Sequence, residues 1–155
     1  MKVQDIMTKA PACCTPQDEI YVAAELMSRF DVGIVPVTER LSSRSKLVGV
    51  ITDRDLCLKV LALRKDPGTV QIHDCMSTDL TLCAPAERVD LVLKRMGRAK
   101  VRRLPVVDRN GEVVGIVSLD DIVRMKAAKD SEICKAMAAI STPVKAARGA
   151  RKAAA

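Results

Sequence analysis

The sequence is poor in the residues on which many enzymes and nucleic-acid platforms depend. Its 155 residues include one histidine, one tyrosine, one phenylalanine and no tryptophan. With so few aromatic side chains, the stacking surfaces of single-strand and RNA-binding proteins are missing, so nucleic-acid binding is not expected. With one histidine and scattered cysteines, the sequence does not supply a nucleophile together with a general base and a group that orients that base. We therefore do not expect an enzyme.

The cysteines also lack the spacing of a metal site. No CxxC pair occurs, and His73 is the only other soft ligand, so neither a structural zinc ion nor a required cofactor is expected. We interpret the cysteines as buried free thiols in a reducing compartment. A redox switch at Cys13 or Cys14 is the alternative.

Long apolar runs are absent too. No stretch approaches the roughly 20 residues that span a bilayer, and Asp5 interrupts any signal-peptide core. We therefore expect a cytoplasmic protein without a membrane segment. Hydrophobic residues at 48% and charged residues at 29% are typical of a chain that folds.

The formal charge of +7 is concentrated near the end of the chain. A basic, Ala-rich segment can contact polyanions, so a nucleic-acid-associated regulator remains an alternative function. We expect residues after about Ile140 to be poorly ordered and dispensable, because Pro143 disfavours helix and the last stretch has no apolar face.

Two copies of one pattern organise the chain. Asp5-Ile6-Met7-Thr8 recurs as Asp74-Cys75-Met76-Ser77, shifted by 69 positions (5 to 74). Beyond the first hairpin, the block that starts at Gly49 recurs from Gly115, shifted by 66 positions (49 to 115). The difference falls in one loop, so we interpret the chain as a tandem duplication of roughly 60 residues per copy.

Each copy is predicted to have the order β-α-β-β-α. Prolines end the short first strands, an amphipathic helix follows, and Asn110-Gly111 marks the second hairpin. The predicted ranges are strands 12–15, 34–38 and 47–52 with helix 53–64, and strands 80–83, 103–107 and 113–117 with helix 119–129. One copy alone would bury too little apolar surface, so an α/β (α+β) fold with the copies packed about a pseudo-twofold axis is expected. We divide the chain into 1–66, 67–128, and a helical then basic tail at 129–155.

Matching polar residues stand where the last strand of each copy meets a helix. Thr52 with Asp55, and Ser118 with Asp121, have the spacing of a helix cap and an acid three residues later. Capping alone explains this pattern. A binding function is compatible with it, because such a strand end can receive phosphate while a carboxylate accepts hydrogen bonds from a ribose diol.

Three arginines lie near these positions. Arg54 at a helix start opposes the helix dipole unless an anion is near, which favours a phosphate role. Arg102 and Arg103 have Gly33 and Ile34 as their counterparts, so the cleft between the copies is electrostatically asymmetric. Either arginine could face phosphates, or both could be solvated strand-edge charges.

These motifs together resemble the paired CBS domains, the Bateman module, of the stand-alone bacterial and archaeal type. The resemblance covers about Val3 to Lys126 and rests on the repeated start motifs, the hairpin segments around Val35-Pro36-Val37 and Leu104-Pro105-Val106, and the two blocks from Gly49 and Gly115. It implies two related sites between the copies, each able to take AMP, ADP, ATP or another adenosyl ligand. Cys13, Leu82 and Leu119 depart from the family pattern.

By this resemblance, the hairpins flank the base and the two acids hold ribose. The implied nucleotide-binding residues are Gly33, Ile34, Val35, Pro36, Thr52, Asp55, Arg103, Leu104, Pro105, Ser118 and Asp121, and the helix-start argument adds Arg54.

The function expected from these observations is regulatory, by sensing of an adenine nucleotide. An interaction module with vestigial nucleotide sites is the alternative. We expect a homodimer, formed through helix residues that the packed copies leave uncovered, such as Leu58, Leu61, Ile122 and Met125. The target protein cannot be named from the sequence.

Overall fold

The first copy folds as one amphipathic helix against a long hairpin. The computed structural model describes residues 1–41 and 44–142. Helix α1 (Ile20–Phe30) buries Ile20, Ala23 and Met27, whose spacing of three and four residues places them on one face. The antiparallel strands β2 (Ile34–Leu41) and β3 (Arg44–Thr52) follow, and helix α2 (Asp53–Asp55) continues directly into π-helical turns at Leu56–Leu61.

The second copy repeats this order with a shorter hairpin. Helix α3 (Val89–Ala99) is followed by strands β4 (Arg103–Val107) and β5 (Val113–Ser118), and helix α4 (Leu119–Arg124) begins at the end of β5. The left-handed residues Asp31 and Lys100 end α1 and α3 at matching positions. This recurrence confirms the predicted fold of mixed helix and antiparallel sheet.

The start of each copy packs into the other copy. Strand β1 (Thr8–Lys9) pairs with β5, while Ser77 bridges to Val50 of β3. Accordingly, Val3 and Ile6 lie in the apolar core of the second copy, and Ile72 and Cys75 in that of the first. This exchange ties the two copies together.

Three local predictions differ from the structure. The expected first strands shrink to single parallel bridges, at Cys14 with Val37 and at Cys83 with Val106. The helix predicted over 53–64 is π-wound after Asp55, a winding that the periodicity of apolar residues does not distinguish. The helix predicted over 119–129 ends at Arg124 because Lys126 adopts a left-handed φ of 47°.

A separate helix, α5 (Asp130–Ser141), then packs along α3. Gly97 of α3 faces Ala136 of α5, where a Cβ on the glycine would be in ordinary van der Waals contact at 3.5 Å from the Ala136 Cα. Ile133 and Ala136 complete the core of the second copy.

Exposure of the expected dimer residues is mixed. Leu58, Leu61 and Met125 are exposed, but Ile122 is fully buried, so its assignment to an uncovered surface was wrong. The residue lies one turn inside α4, on the face that packs into the core. The prediction about the tail after Ile140 concerns mostly residues 143–155, which lie outside the described residues. Among the described helices, none is long and apolar enough to cross a membrane.

Candidate ligand-binding clefts

Two cavities lie between the copies, related by the internal repeat. The first cleft, of about 550 Å³, is formed by the end of β3 and the start of α2 on one side and by the start of β4 on the other. Its polar and charged lining residues are Thr52, Asp53, Arg54, Asp55, Ser77, Asp79, Thr81, Arg102 and Arg103.

The second cleft, of about 490 Å³, is formed by the end of β5, the start of α4 and the segment before β2. Its lining residues are Thr8, Lys9, Ala10, Pro11, Ala12, Phe30, Asp31, Val32, Ile34, Arg103, Ile116, Ser118, Asp120 and Asp121. Ile34 and Arg103, at matching positions of the two copies, are shared by both clefts.

In the first cleft the predicted cap is formed. The backbone N–H of Asp55 donates to Thr52 Oγ1 at 3.2 Å, while the Thr52 N–H and hydroxyl donate to Asp55 Oδ2 at 3.0 and 2.6 Å. The other carboxylate oxygen, Oδ1, pairs with Lys59 Nζ at 2.8 Å. Lys59 is itself held by the Cys75 carbonyl at 2.6 Å.

The second cleft repeats the arrangement almost atom for atom. Asp121 N–H donates to Ser118 Oγ at 3.0 Å, and the Ser118 N–H and hydroxyl donate to Asp121 Oδ2 at 2.9 and 2.6 Å. Here Oδ1 pairs with Arg124 Nη2 at 2.8 Å.

This geometry limits what each group can do for a ligand. The single hydroxyl proton of Thr52 or Ser118 is donated to its acid, so it is not available to a phosphate in this arrangement. Each Oδ2 already accepts two hydrogen bonds, whereas each Oδ1 accepts one and keeps capacity for a second. Asp55 and Asp121 can therefore accept a ribose hydroxyl at Oδ1 beside the cation already there.

The hairpin residues divide into two groups. Gly33, Ile34, Arg103, Leu104 and Pro105 line the first cleft. Two others, which sequence reasoning also placed at the site, line neither cleft. Val35 is buried in the core of the first copy. The Pro36 carbonyl accepts the Cys14 N–H at 3.1 Å and so takes part in the parallel bridge between Cys14 and Val37.

The arginines gather at the first cleft. Arg54, Arg102 and Arg103 all line it, together with Asp53 and Asp79. Gly33 leaves room for two of these side chains, since a Cβ there would lie 2.7 Å from Asp53 Oδ2 and 3.0 Å from Arg103 Nη1. A substitution at Gly33 would push both side chains aside.

Sequence reasoning missed several lining residues. Ser77, Asp79 and Thr81 come from the segment before α3, and the matching Thr8, Ala10 and Ala12 line the second cleft. The signal for them was the repeated start motif, since both copies of it end in a hydroxyl residue, Thr8 or Ser77, that enters a cleft.

Comparison with known proteins agrees with the duplicated fold. The protein-family model described as CBS domain matches residues 3–62 and 72–128. The CBS domain-containing protein YhcV of Bacillus subtilis is 38% identical over 120 residues, which cover 77% of this chain and 81% of that protein.

Solved structures of CBS domain proteins also match this chain. The CBS domain pair of protein MJ0100, in complex with 5′-methylthioadenosine and S-adenosyl-L-methionine, matches with a TM-score of 0.72 and 31% identity, covering 81% of this chain and 95% of that chain. The CBS domain protein TA0289 of Thermoplasma acidophilum, at 22% identity and a TM-score of 0.77, covers 92% of this chain and 77% of its own and supports the fold alone.

Proposed function

The chain belongs to the CBS domain family and carries two copies of the domain, and on that premise we propose that it is a regulatory module that binds adenine nucleotides between the copies. Each cleft would take an adenosyl ligand, and occupancy would be read by a partner protein. The observation that carries the proposal is the recurrence, at both clefts, of a fixed carboxylate with free acceptor capacity at Oδ1.

Ribose binding is proposed for these carboxylates because they are already positioned. The cap bonds hold each side chain in place before a ligand arrives, so little conformational entropy is lost on binding. A carboxylate has only acceptors, and a ribose presents two neighbouring hydroxyl donors. The solved complex of MJ0100 supports an adenosyl ligand for this type of fold.

The phosphates of a nucleotide are proposed to lie in the first cleft. Arg54, Arg102 and Arg103 line it together, and guanidinium groups pair with phosphate through two parallel hydrogen bonds. Asp53 and Asp79 on the same walls temper this positive charge. We therefore expect a mononucleotide, AMP, to be favoured over compounds without phosphate at this cleft.

The proposal is tested by calorimetric titration of the full chain with AMP, ADP and ATP, and with Asp55→Ala and Asp121→Ala variants. A charge-assisted hydrogen bond contributes about 1.5–3 kcal/mol, so each variant should lose roughly 10- to 100-fold in affinity at its own cleft. Absence of binding to the wild-type chain at millimolar concentration would contradict the proposal.

Asp5→Ala is the matched control for loss of a cap. Asp5 Oδ2 accepts the Lys2 N–H at 2.8 Å, as Asp55 Oδ2 accepts the Thr52 N–H, yet Asp5 lines neither cleft. This variant should cost about 1 kcal/mol of folding free energy or less and leave nucleotide affinity unchanged.

A regulatory module must transmit its state, and a homodimer is part of the proposal. Exposed apolar side chains on the helices, among them Tyr21, Leu58, Leu61, Val123 and Met125, would be covered in it. Light scattering should then give about twice the chain mass of 16.8 kDa. A monomer at micromolar concentration would contradict this part.

A cytoplasmic location is also proposed. All six cysteines are free, and free thiols persist in reducing compartments.

A further inference from the structure

Resting on the proposed function, we infer that the second cleft selects an adenosyl ligand without a phosphate. The ligand class is an adenosine whose 5′ substituent is neutral or cationic, such as a thioether or a sulfonium. Phosphorylated ligands would go to the first cleft. The two clefts would then report on two different metabolites.

The inference starts from one exchange of charge at matched positions. The residue before the ribose acid is Arg54 in the first cleft and Asp120 in the second, and both line their cavities as exposed side chains. An anionic ligand therefore meets a cation next to Asp55 but a second carboxylate next to Asp121. Asp120 would repel an anionic group brought into the second cleft, and because Asp120 is exposed, solvent screening makes this repulsion modest.

The shared arginine does not compensate for this exchange. Arg103 lines both clefts, but its Nη1 lies 3.0 Å, and Asp53 Oδ2 lies 2.7 Å, from the place that a Cβ on Gly33 would take, and both Gly33 and Asp53 line the first cleft only. Within residues 1–41 and 44–142, its guanidinium has no ion-pair partner within 4.0 Å. It is thus placed to meet an anion in the first cleft.

The residue after helix α1 adds to the difference in charge between the two clefts. Asp31, after α1, lines the second cleft, whereas its counterpart Lys100 donates to the Thr142 carbonyl at 3.0 Å, beside the end of α5. Besides Arg103, Lys9 is the only cation among residues 1–41 and 44–142 that lines the second cleft. Arg124 already pairs with Asp121, so Asp31 and Asp120 face Lys9 and the shared Arg103 in the second cleft. In the first cleft, where Lys59 pairs with Asp55, three arginines face only Asp53 and Asp79, so the first cleft is the more positive of the two.

The second cleft also offers apolar surface for an uncharged group. Phe30, the single phenylalanine of the chain, lines it and is 52% exposed, while the matching residue in the first cleft is Ala99. Ala10 and Ala12 stand where the first cleft has Asp79 and Thr81. A thioether or methyl group would lose less hydration here than a phosphate.

The test uses the full chain with Asp55→Ala, so that only the second cleft keeps its ribose acid. Calorimetry would compare 5′-methylthioadenosine, S-adenosylmethionine and AMP as probes. We expect both phosphate-free probes to bind about tenfold or more tightly than AMP. Adding Asp120→Arg, which copies the charge of Arg54, should remove that preference.

Two controls accompany the test. Glu25→Arg makes the same change of charge on the exposed face of α1, away from both clefts. It should leave the preference for phosphate-free probes over AMP intact. Asp55→Asn replaces Asp55→Ala if circular dichroism shows that the alanine variant is unfolded.

The outcomes separate this inference from the proposed function. Equal binding of AMP and the phosphate-free probes to the Asp55→Ala chain would overturn the inference and leave adenosyl binding in place. Failure of every probe and nucleotide to bind the wild-type chain would overturn the proposed function itself.

Discussion

The two clefts present the same capped carboxylate in different electrostatic surroundings. Thr52 with Asp55 and Ser118 with Asp121 have matching hydrogen bonds, to within 0.2 Å for each pair of equivalent distances. Around them, Arg54 is replaced by Asp120 and Asp53 by Leu119. The comparison indicates that the two copies kept the same capped carboxylate, proposed above to orient a ligand, while the neighbouring residues diverged in charge.

The largest difference in folding stability between the two copies should follow from replacing a pair of matched glycines, Gly49 and Gly115, with alanine. A Cβ on Gly115 would lie 2.9 Å from the Thr8 carbonyl oxygen, whereas one on Gly49 would lie 3.2 Å from the Ser77 carbonyl oxygen. Gly115→Ala should therefore cost about 1–3 kcal/mol, and Gly49→Ala less. Urea denaturation of both variants measures this; an equal or larger loss for Gly49→Ala would contradict the assigned packing.

A smaller effect is expected from an ion pair that exists in one copy only. Arg95 on α3 pairs with Glu87 and donates to the Leu82 carbonyl, while the matching residue on α1 is Leu26. Arg95→Leu, which copies the first copy, should cost about 1 kcal/mol or less, because both side chains are partly exposed.

The pH dependence of this pair has a definite sign. Partial burial favours the neutral form of Glu87, but hydrogen bonds from Arg95 and the Ala84 N–H outweigh it and lower the pKa of the carboxyl. A lowered pKa stabilises the fold above the unfolded-state pKa and loses that contribution as pH falls through the folded-state pKa. The stability difference between wild type and Arg95→Leu should shrink in acid; a difference that grows there would contradict the pairing.

The smallest contrast between the copies should be at two matched thiols. Cys14 and Cys83 donate to the Pro36 and Pro105 carbonyls, and burial raises the pKa of each to about 12. Both should stay unmodified when iodoacetamide labels the folded chain at neutral pH, while the exposed Cys57 and Cys134 react. Mass spectrometry of labelled peptides would reveal any difference between the matched pair.

The sequence predicted the features that depend on local spacing. A hydroxyl residue three positions before an acid forms its own hydrogen bonds, so both caps were predictable from four residues. Contacts between distant segments were not. The exchange of Val3 and Ile72 between cores depends on how the copies pack, and so does the separation of Val35 and Pro36 from the cleft walls.

The direction in which individual side chains point also could not be predicted from the sequence. Ile122 and Met125 lie three residues apart, yet one is fully buried and the other 42% exposed, because α4 ends between them. The direction of Arg103 toward Gly33 likewise follows from the tertiary structure, since the sequence shows only that two arginines replace Gly33 and Ile34.

The most direct test of ribose binding compares AMP with 2′-deoxy-AMP and 3′-deoxy-AMP on the wild-type chain and on Asp55→Ala. The wild type should prefer the intact diol, and the variant should lose most of that preference at the first cleft while its circular dichroism remains that of a folded chain. If wild type binds ribose and deoxyribose nucleotides equally, Asp55 serves only as a helix cap, and the proposed role of the carboxylate is wrong.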